Sequence, residues 1–393
     1  MRPVECGMRF DVIVVGGGAV GASIARAARG HSVALVAGAA PAEIPKASQG
    51  FDARVYALSP GSVEFLRSIR VWDAIAPERL TPIHAMRVFG DSQDARIEFD
   101  SYRAGVSELA WIVEDGALQA ALWNSLRSQD NVELVVPARC VSVDLGETVR
   151  LGLADGRLLE ADLLVGADGA DSFVRSAAGI AANEKPYGQT AVVANFGCER
   201  PHENTAFQWF QGGPVLALLP LPGDRLSMVW SVPEQSAARL MAMDFESLGS
   251  EVSAASNRLL GALTTESAPQ AYPLRRISAG RMVGPRLALA GDAAHVIHPL
   301  AGQGLNLGLQ DARSLSEILR GREPVRAAGD PRLLRRYERD RSEAVLAMGS
   351  AVHGLQALFE AENPAVRRLR NLGLNLTDRL PVLKNVLLRH ALH

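Results

Sequence analysis

The sequence predicts an α/β fold: a Rossmann-like domain, a second domain built on a mixed or antiparallel sheet, and a C-terminal helical tail. Three observations carry this. A strand, a glycine-rich turn, a helix and a second strand follow one another within residues 10–36. Two further apolar runs end in a glycine and an acid, at Gly166-Ala-Asp168 and Gly291-Asp292. Short strand-like runs with turn signals between them crowd residues 190–232.

Size and charge set the frame. A chain of 393 residues suggests two packed units. Hydrophobic content of 48% and a net charge of −2 describe a globular chain and argue against nucleic acid as the main partner. The three cysteines, Cys6, Cys140 and Cys198, form neither a disulfide framework nor a Cys-x-x-Cys site, which fits a reducing cytoplasm. Residues 1–8 have no apolar core of a signal peptide, and no apolar run reaches the roughly 18 residues of a membrane span.

Residues 10–15 are an apolar strand that runs into Gly16-Gly-Gly18-Ala19-Val20-Gly21 and then a helical pattern closed by Gly30. In this frame Gly16 makes the tight turn, Gly18 lets a pyrophosphate approach the backbone, and Gly21 lets helix and strand pack closely. The second strand ends at Val36. An Asp or Glu is usual just past it, to hold the adenosine ribose, yet Ala37, Gly38 and two more alanines follow. Either Glu43 reaches back from the loop, or water and backbone hold the ribose. Loss of that bond costs about 1.5–3 kcal/mol.

Residues 51–62 are strand-like and apolar except for Asp52 and Arg54; Arg54 is read as a cation over the ligand's ring or phosphates, against an edge residue extending into solvent. A helix with Val63, Leu66 and Ile69 on one face follows. Residues 82–100 alternate as in a sheet and belong to the second, substrate-facing layer; residues 110–126 are a strand entering a helix. The run at 161–175 ends in Asp168 and a Ser172 cap, beside the phosphate turn. Residues 190–232 read as an antiparallel sheet with large apolar residues, Trp209, Leu218 and Trp230 among them; any one of these alone reads as ordinary core, and with one face over the ligand they would wall an apolar substrate pocket. Residues 245–263 read as a covering helix.

The stretch from 285 to 311 organises the rest. Its apolar run ends at Asp292, a loop stiffened by Pro299 follows, and Ala301-Gly302-Gln303-Gly304-Leu305-Asn306 opens a helix. Glycines and a helix N-terminus suit an electron-rich planar ligand able to become anionic, as a reduced isoalloxazine is. Asp292, His295 and His298 invite a metal reading, but no further ligands support an iron or zinc centre. A long helix spans 332–359. From 363 the tail has apolar residues at steps of three and four, with six basic residues against one acid; it either lies on an anionic membrane surface or packs on the back of the domain.

In order and spacing, these blocks resemble the group A flavin monooxygenases with the p-hydroxybenzoate hydroxylase-like fold. More narrowly, Asp52-Ala-Arg54-Val-Tyr-Ala-Leu-Ser59, Gly213–Pro220, His298–Gly308, Asn371-Leu-Gly and Asp378-Arg-Leu-Pro381 resemble the ubiquinone-biosynthesis hydroxylases. The resemblance implies FAD as cofactor, NADH or NADPH as electron donor, and a flavin hydroperoxide that hydroxylates the phenolic ring of a polyprenylated ubiquinone precursor. It implies FAD contacts from Gly16, Gly18, Ala19, Val20, Gly21, Arg54, Asp168, Asp292, Ala301, Gly302, Gln303, Gly304, Leu305 and Asn306, with His298 and Pro299 as catalytic positions in the flavin loop. The expected domains are 1–80, 105–180 and 275–325 for FAD, 81–104 and 181–274 for substrate, and 326–393 as the helical region. A cytoplasmic enzyme, peripheral at the inner face of a membrane or within a quinone-synthesis complex, follows from the tail. Two alternatives stand: a hydroxylase of a small soluble phenol, and an accessory subunit that binds flavin weakly, which Ala37 motivates.

Overall fold

A computed structural model of the chain describes residues 8–42, 50–90, 95–298 and 303–360, with side chains shown through 350. Glu43, Pro299, Ala301, Gly302 and the tail from 363 lie outside the described residues.

The first sheet has a parallel core of five strands in the order Leu287–Leu289, Leu158–Gly166, Met8–Val15, Val33–Val36, Val132–Val135. Their register aligns Leu289, Gly166, Val15, Val36 and Val135 in one row. All five carboxyl ends therefore open on the same edge, where open α/β sheets hold ligands. The Met8–Val15 strand is fully buried over its apolar half, as a central parallel strand requires. The helix Ala19–Ala27 packs on this sheet beside the helices Asp115–Arg127 and Gln303–Arg320.

A nine-stranded mixed sheet forms the second layer. Its central strands are Ala182–Cys198, Arg225–Pro233, Val215–Leu221 and Thr205–Phe210, antiparallel to their neighbours, with Ala85–Phe89 added parallel to the last. The first of these is longer than its apolar run suggests. Pairing with Gln270–Ala279 carries it through polar residues 182–190, and a register shift between Pro186 and Thr190 accommodates the proline. Two helices cover the sheet here: Glu234–Met241, which the sequence pattern does not mark, and Phe245–Ala255, shorter than the expected 245–263. The second stops because Asn257 and Arg258 turn to φ of 55° and 50°, and the strand Leu263–Thr265 follows.

The two faces of this sheet differ. Phe196, Trp209, Leu216, Leu218, Met228 and Trp230 pack with Leu240, Leu248 and Val252 of the two helices into a closed core. The opposite face carries Ala191, Val193, Ala206, Gln208, Ala217, Val229 and Ser231. A three-stranded sheet, Val55–Leu58, Ala110–Glu114 and Leu80–Ile83, sits between the layers in sequence. The last helix among the described residues, Pro331–Glu360, runs for 30 residues. No helix among the described residues is long and apolar enough to cross a membrane.

Candidate active site

The glycines at the end of the first strand divide by what surrounds them. Gly16 has φ +116°, and a Cβ there would lie 2.1 Å from the Ala167 carbonyl oxygen. A Cβ on Gly21 would lie 2.0 Å from the Gly16 carbonyl oxygen. These two are glycines because the chain itself is in the way. Gly18 differs: a Cβ there meets nothing within 4 Å, yet the residue caps the helix at an ordinary φ of −69°. The space over it is open for a ligand. Gly17 is held by Trp123, whose Nε1 donates to its carbonyl at 2.9 Å.

These residues open onto a cavity of about 980 Å³ that runs from the strand ends to the small-residue face of the nine-stranded sheet. That is the upper end of the roughly 300–1,000 Å³ common for small-molecule sites. Gly16, Gly18, Ala19, Val20, Arg54, Asp168, Asp292, Gln303, Gly304, Leu305 and Asn306 all line it. Gly21 does not; it packs beneath the turn.

Arg54 is held in place from behind. The Asp52 carboxylate accepts from the Arg54 and Gly116 N–H groups at 3.0 and 3.3 Å. The Asp52 N–H donates to Glu114, which is paired with Arg79 at 2.7 Å in full burial. The Arg54 guanidinium stands 5.4 Å from the Tyr56 ring and 6.0 Å from the Tyr272 ring. Tyr56 donates to Asp115, and burial, with the Asp115 carboxylate, pushes its hydroxyl far above its ordinary range. It stays protonated. Gln119, one turn on, also donates to Asp115, at 2.8 Å.

Asp168 accepts from Ser172 Oγ and, at 3.0 Å, from the Val174 N–H, so it caps the short helix Phe173–Ala177 while facing the cavity. Asp292 also faces the cavity, and burial pushes its carboxyl up, against His295 and Arg54. The N–H of Gly291 donates to Asp311 at 2.9 Å, and His295 Nε2 lies 2.7 Å from the same oxygen. Asn306 ties the helix opening at Gln303 to the Arg54 strand: its Oδ1 accepts from the Ser59 N–H at 2.9 Å and Ser62 Oγ at 2.8 Å, and its Nδ2 donates to Ala57. A Cβ on Gly304 meets nothing within 4 Å.

Two expectations are corrected. His298 does not line the cavity, although its neighbours Val296 and Ile297 do. It is 1% exposed, edge-on to the Tyr187 ring at 4.9 Å, with Nε2 3.3 Å from Gln189. Burial lowers its pKa to about 4, so it is neutral near pH 7. Trp209, Leu218 and Trp230 point to the helix side of their sheet, because residues filling a closed core must be large. On these strands the cavity is lined mainly by the alternate set, Ala206, Gln208, Ala217, Leu219, Val229 and Ser231.

Residues that no local pattern marked also line the site: Tyr56, Asp115, Gln119, Arg139, Gln208 and Tyr272. Ala37 and Gly38 line it with Arg139, so among the described residues no acid just past the second strand faces the cavity. Among the described residues no group of three or more His, Cys, Asp or Glu is placed to hold a metal.

Comparison with known proteins agrees with this geometry. The model of a family described as "FAD binding domain" matches residues 9–351. The 3-demethoxyubiquinol 3-hydroxylase of Escherichia coli is 35% identical, over 97% of this chain and 98% of that protein. The ubiquinone hydroxylase UbiL of Rhodospirillum rubrum is 34% identical, over 97% and 89%. The fold matches that of PqsL, a probable FAD-dependent monooxygenase of Pseudomonas aeruginosa, with TM-score 0.75 at 24% identity, over 94% of this chain and all of that one.

Proposed function

Since the chain belongs to the ubiquinone-biosynthesis hydroxylases, a branch of the FAD-dependent aromatic monooxygenases, we propose that it hydroxylates the phenolic ring of a polyprenylated ubiquinone precursor, drawing electrons from NADH or NADPH. The observation that carries this is the single cavity joining the open glycine turn at Gly18 to an apolar wall of small side chains.

The residues present fit FAD. The Gly18 backbone at the N-terminus of the helix Ala19–Ala27 would hold the pyrophosphate, since N–H groups and the helix dipole there favour negative charge. Ala37, Gly38 and Arg139 would meet the adenosine end. Asp292 would accept from ribitol hydroxyls, and Arg54 would offset negative charge nearby. The amides opening the 18-residue helix Gln303–Arg320 would stabilise negative charge on the reduced ring. When bound, the cofactor supplies electron storage and reaction with O₂; the protein supplies position, field and exclusion of water. The apolar wall excludes water and holds the substrate's ring and the start of its chain.

The tail from 363, with six basic residues against one acid, supports peripheral attachment to an anionic membrane surface, where such a substrate resides. The test is direct. The purified protein should be yellow, oxidise NAD(P)H faster when given a prenylphenol, and yield a product one oxygen heavier. A colourless protein that refuses FAD, or turnover confined to unprenylated phenols, overturns the reading. Sedimentation with anionic vesicles, lost when the tail is removed, tests the attachment.

A further inference from the structure

This inference rests on the preceding reading and concerns how the cavity recognises its substrate. The cavity face of the nine-stranded sheet is mostly apolar, from Ala191, Val193 and Ala217 to Met86, Phe99 and Leu219, with one side-chain amide set among them. That side chain is Gln208. It stands opposite Ala217 on one neighbouring strand and Val88 on the other. It is 5% exposed and lines the cavity.

Other amides in and beside this sheet make hydrogen bonds to the protein, although the Asn195 carbonyl oxygen itself is left without a partner among the described residues. Asn195 donates to the carbonyls of Phe51 and Asp52, Gln189 meets His298, and Gln211 donates to Ala255. The Gln208 amide takes no side-chain hydrogen bond from or to any described residue. An amide that faces a cavity and has no partner in the protein keeps its donor and acceptor available to whatever fills that cavity. Apolar residues fill the equivalent positions around it, so packing does not demand a polar group there. A ligand that completes the amide accounts for both facts.

We propose that Gln208 is the specificity-determining residue of the substrate chamber, its amide hydrogen-bonding an oxygen carried on the substrate's aromatic ring. A primary amide donates and accepts, and a phenol does both. The chamber therefore takes a phenol bearing an apolar substituent, and rejects the same ring without its oxygen.

The experiment uses FAD-loaded protein without NAD(P)H and reads ligand binding through flavin fluorescence. The ligands are phenols with prenyl chains of increasing length and the matching arenes that lack the ring oxygen. The wild type should prefer phenol to arene by about tenfold or more, because a site built around a hydrogen bond leaves its own polar group unpaired with the wrong ligand. Gln208→Leu and Gln208→Met should lose that preference, bind the arenes as the wild type does, and keep wild-type FAD affinity and melting temperature. Gln208→Asn, which withdraws the amide by one methylene, should lose it too and serves if the apolar variants do not fold. Variants that keep the preference overturn the proposal and leave the assigned activity standing. A wild type that prefers unprenylated phenols overturns the prenyl reading, while Gln208 is still judged on the phenol–arene difference. A wild type that holds FAD and binds no phenol overturns both.

Discussion

Arg341 donates from Nε to Asp311 Oδ1 at 2.8 Å, with both side chains buried. The other Asp311 oxygen takes the Gly291 N–H and meets His295, so one carboxylate joins the last long helix to the turn that presents Asp292. Burial opposes charge on Asp311 and His295. The His295 and Arg341 cations outweigh it and hold the Asp311 carboxyl below its ordinary range, and Asp311 in turn holds the His295 pKa up. Asp311→Ala leaves the buried Arg341 cation, the His295 ring and the Gly291 N–H without this acceptor. It should lower the unfolding free energy by about 3–5 kcal/mol in denaturant titration.

His298 gives the opposite pH signature. Burial holds its folded pKa at about 4, below the ordinary histidine value of about 6.5. Between these limits the unfolded chain binds a proton that the folded chain refuses, so stability is lost as pH falls from about 6.5 toward 4. The loss reaches up to about 3 kcal/mol. His298→Gln should flatten that acid limb, seen in melting temperatures from pH 7 to 4.5. Because the imidazole does not reach the cavity, FAD affinity at pH 7.5 should stay within about twofold.

The glycine turn separates folding from binding. Gly18→Val adds atoms only to open space, so the apoprotein should unfold within about 0.5 kcal/mol of the wild type. The same atoms occupy the path of the pyrophosphate, and FAD affinity should fall by about tenfold or more. Gly21→Ala should do the reverse damage, since its Cβ meets the Gly16 carbonyl at 2.0 Å, and fail to accumulate folded protein. Equal FAD binding by Gly18→Val and wild type refutes the assignment.

Ala37 tests the adenosine end. It is 5% exposed and lines the cavity just past the second strand, where the expected acid is missing. Ala37→Glu supplies a carboxylate for the ribose hydroxyls. A charged hydrogen bond of about 1.5–3 kcal/mol corresponds to roughly a tenfold to hundredfold gain in FAD affinity, measured by equilibrium dialysis. Arg139 stands close enough to share the cavity, so Arg139→Ala in the same background reports whether the new charge is spent on the ligand or on the arginine.

What could be read in the sequence was whatever lies close along the chain. The Gly16–Gly21 spacing, the strand ends at Asp168 and Asp292, and the helix opening at Gln303 are local patterns, and the parallel register brings them to one edge. Gln119, Arg139 and Tyr272 reach that cavity from segments with no distinguishing neighbours, so only tertiary structure assembles them. Alternation in residues 205–232 correctly implies a two-faced sheet. It does not say which face meets a ligand, and size misled: the aromatic face is the one that must fill space under helices. His298 sits beside the flavin loop in sequence, and a one-residue change of side turns it into the core, where Ile297 faces the cavity instead.

The two faces of the nine-stranded sheet make the last prediction, because substitutions two strands wide should act in opposite ways. Trp209 is 4% exposed, stacked at 5.2 Å on Phe89 in the helix-side core. Trp209→Ala should cost about 3–5 kcal/mol of stability through the cavity it leaves. Ala217 faces the chamber beside Gln208. Ala217→Phe adds a ring to open volume, so stability should change by less than about 1 kcal/mol, while a long-chain phenol loses the space it needs. FAD binding should survive, and prenylphenol-stimulated NAD(P)H oxidation should fall more steeply for long chains than for short ones. If chain length makes no difference in Ala217→Phe, the small-residue wall is not where the substrate lies.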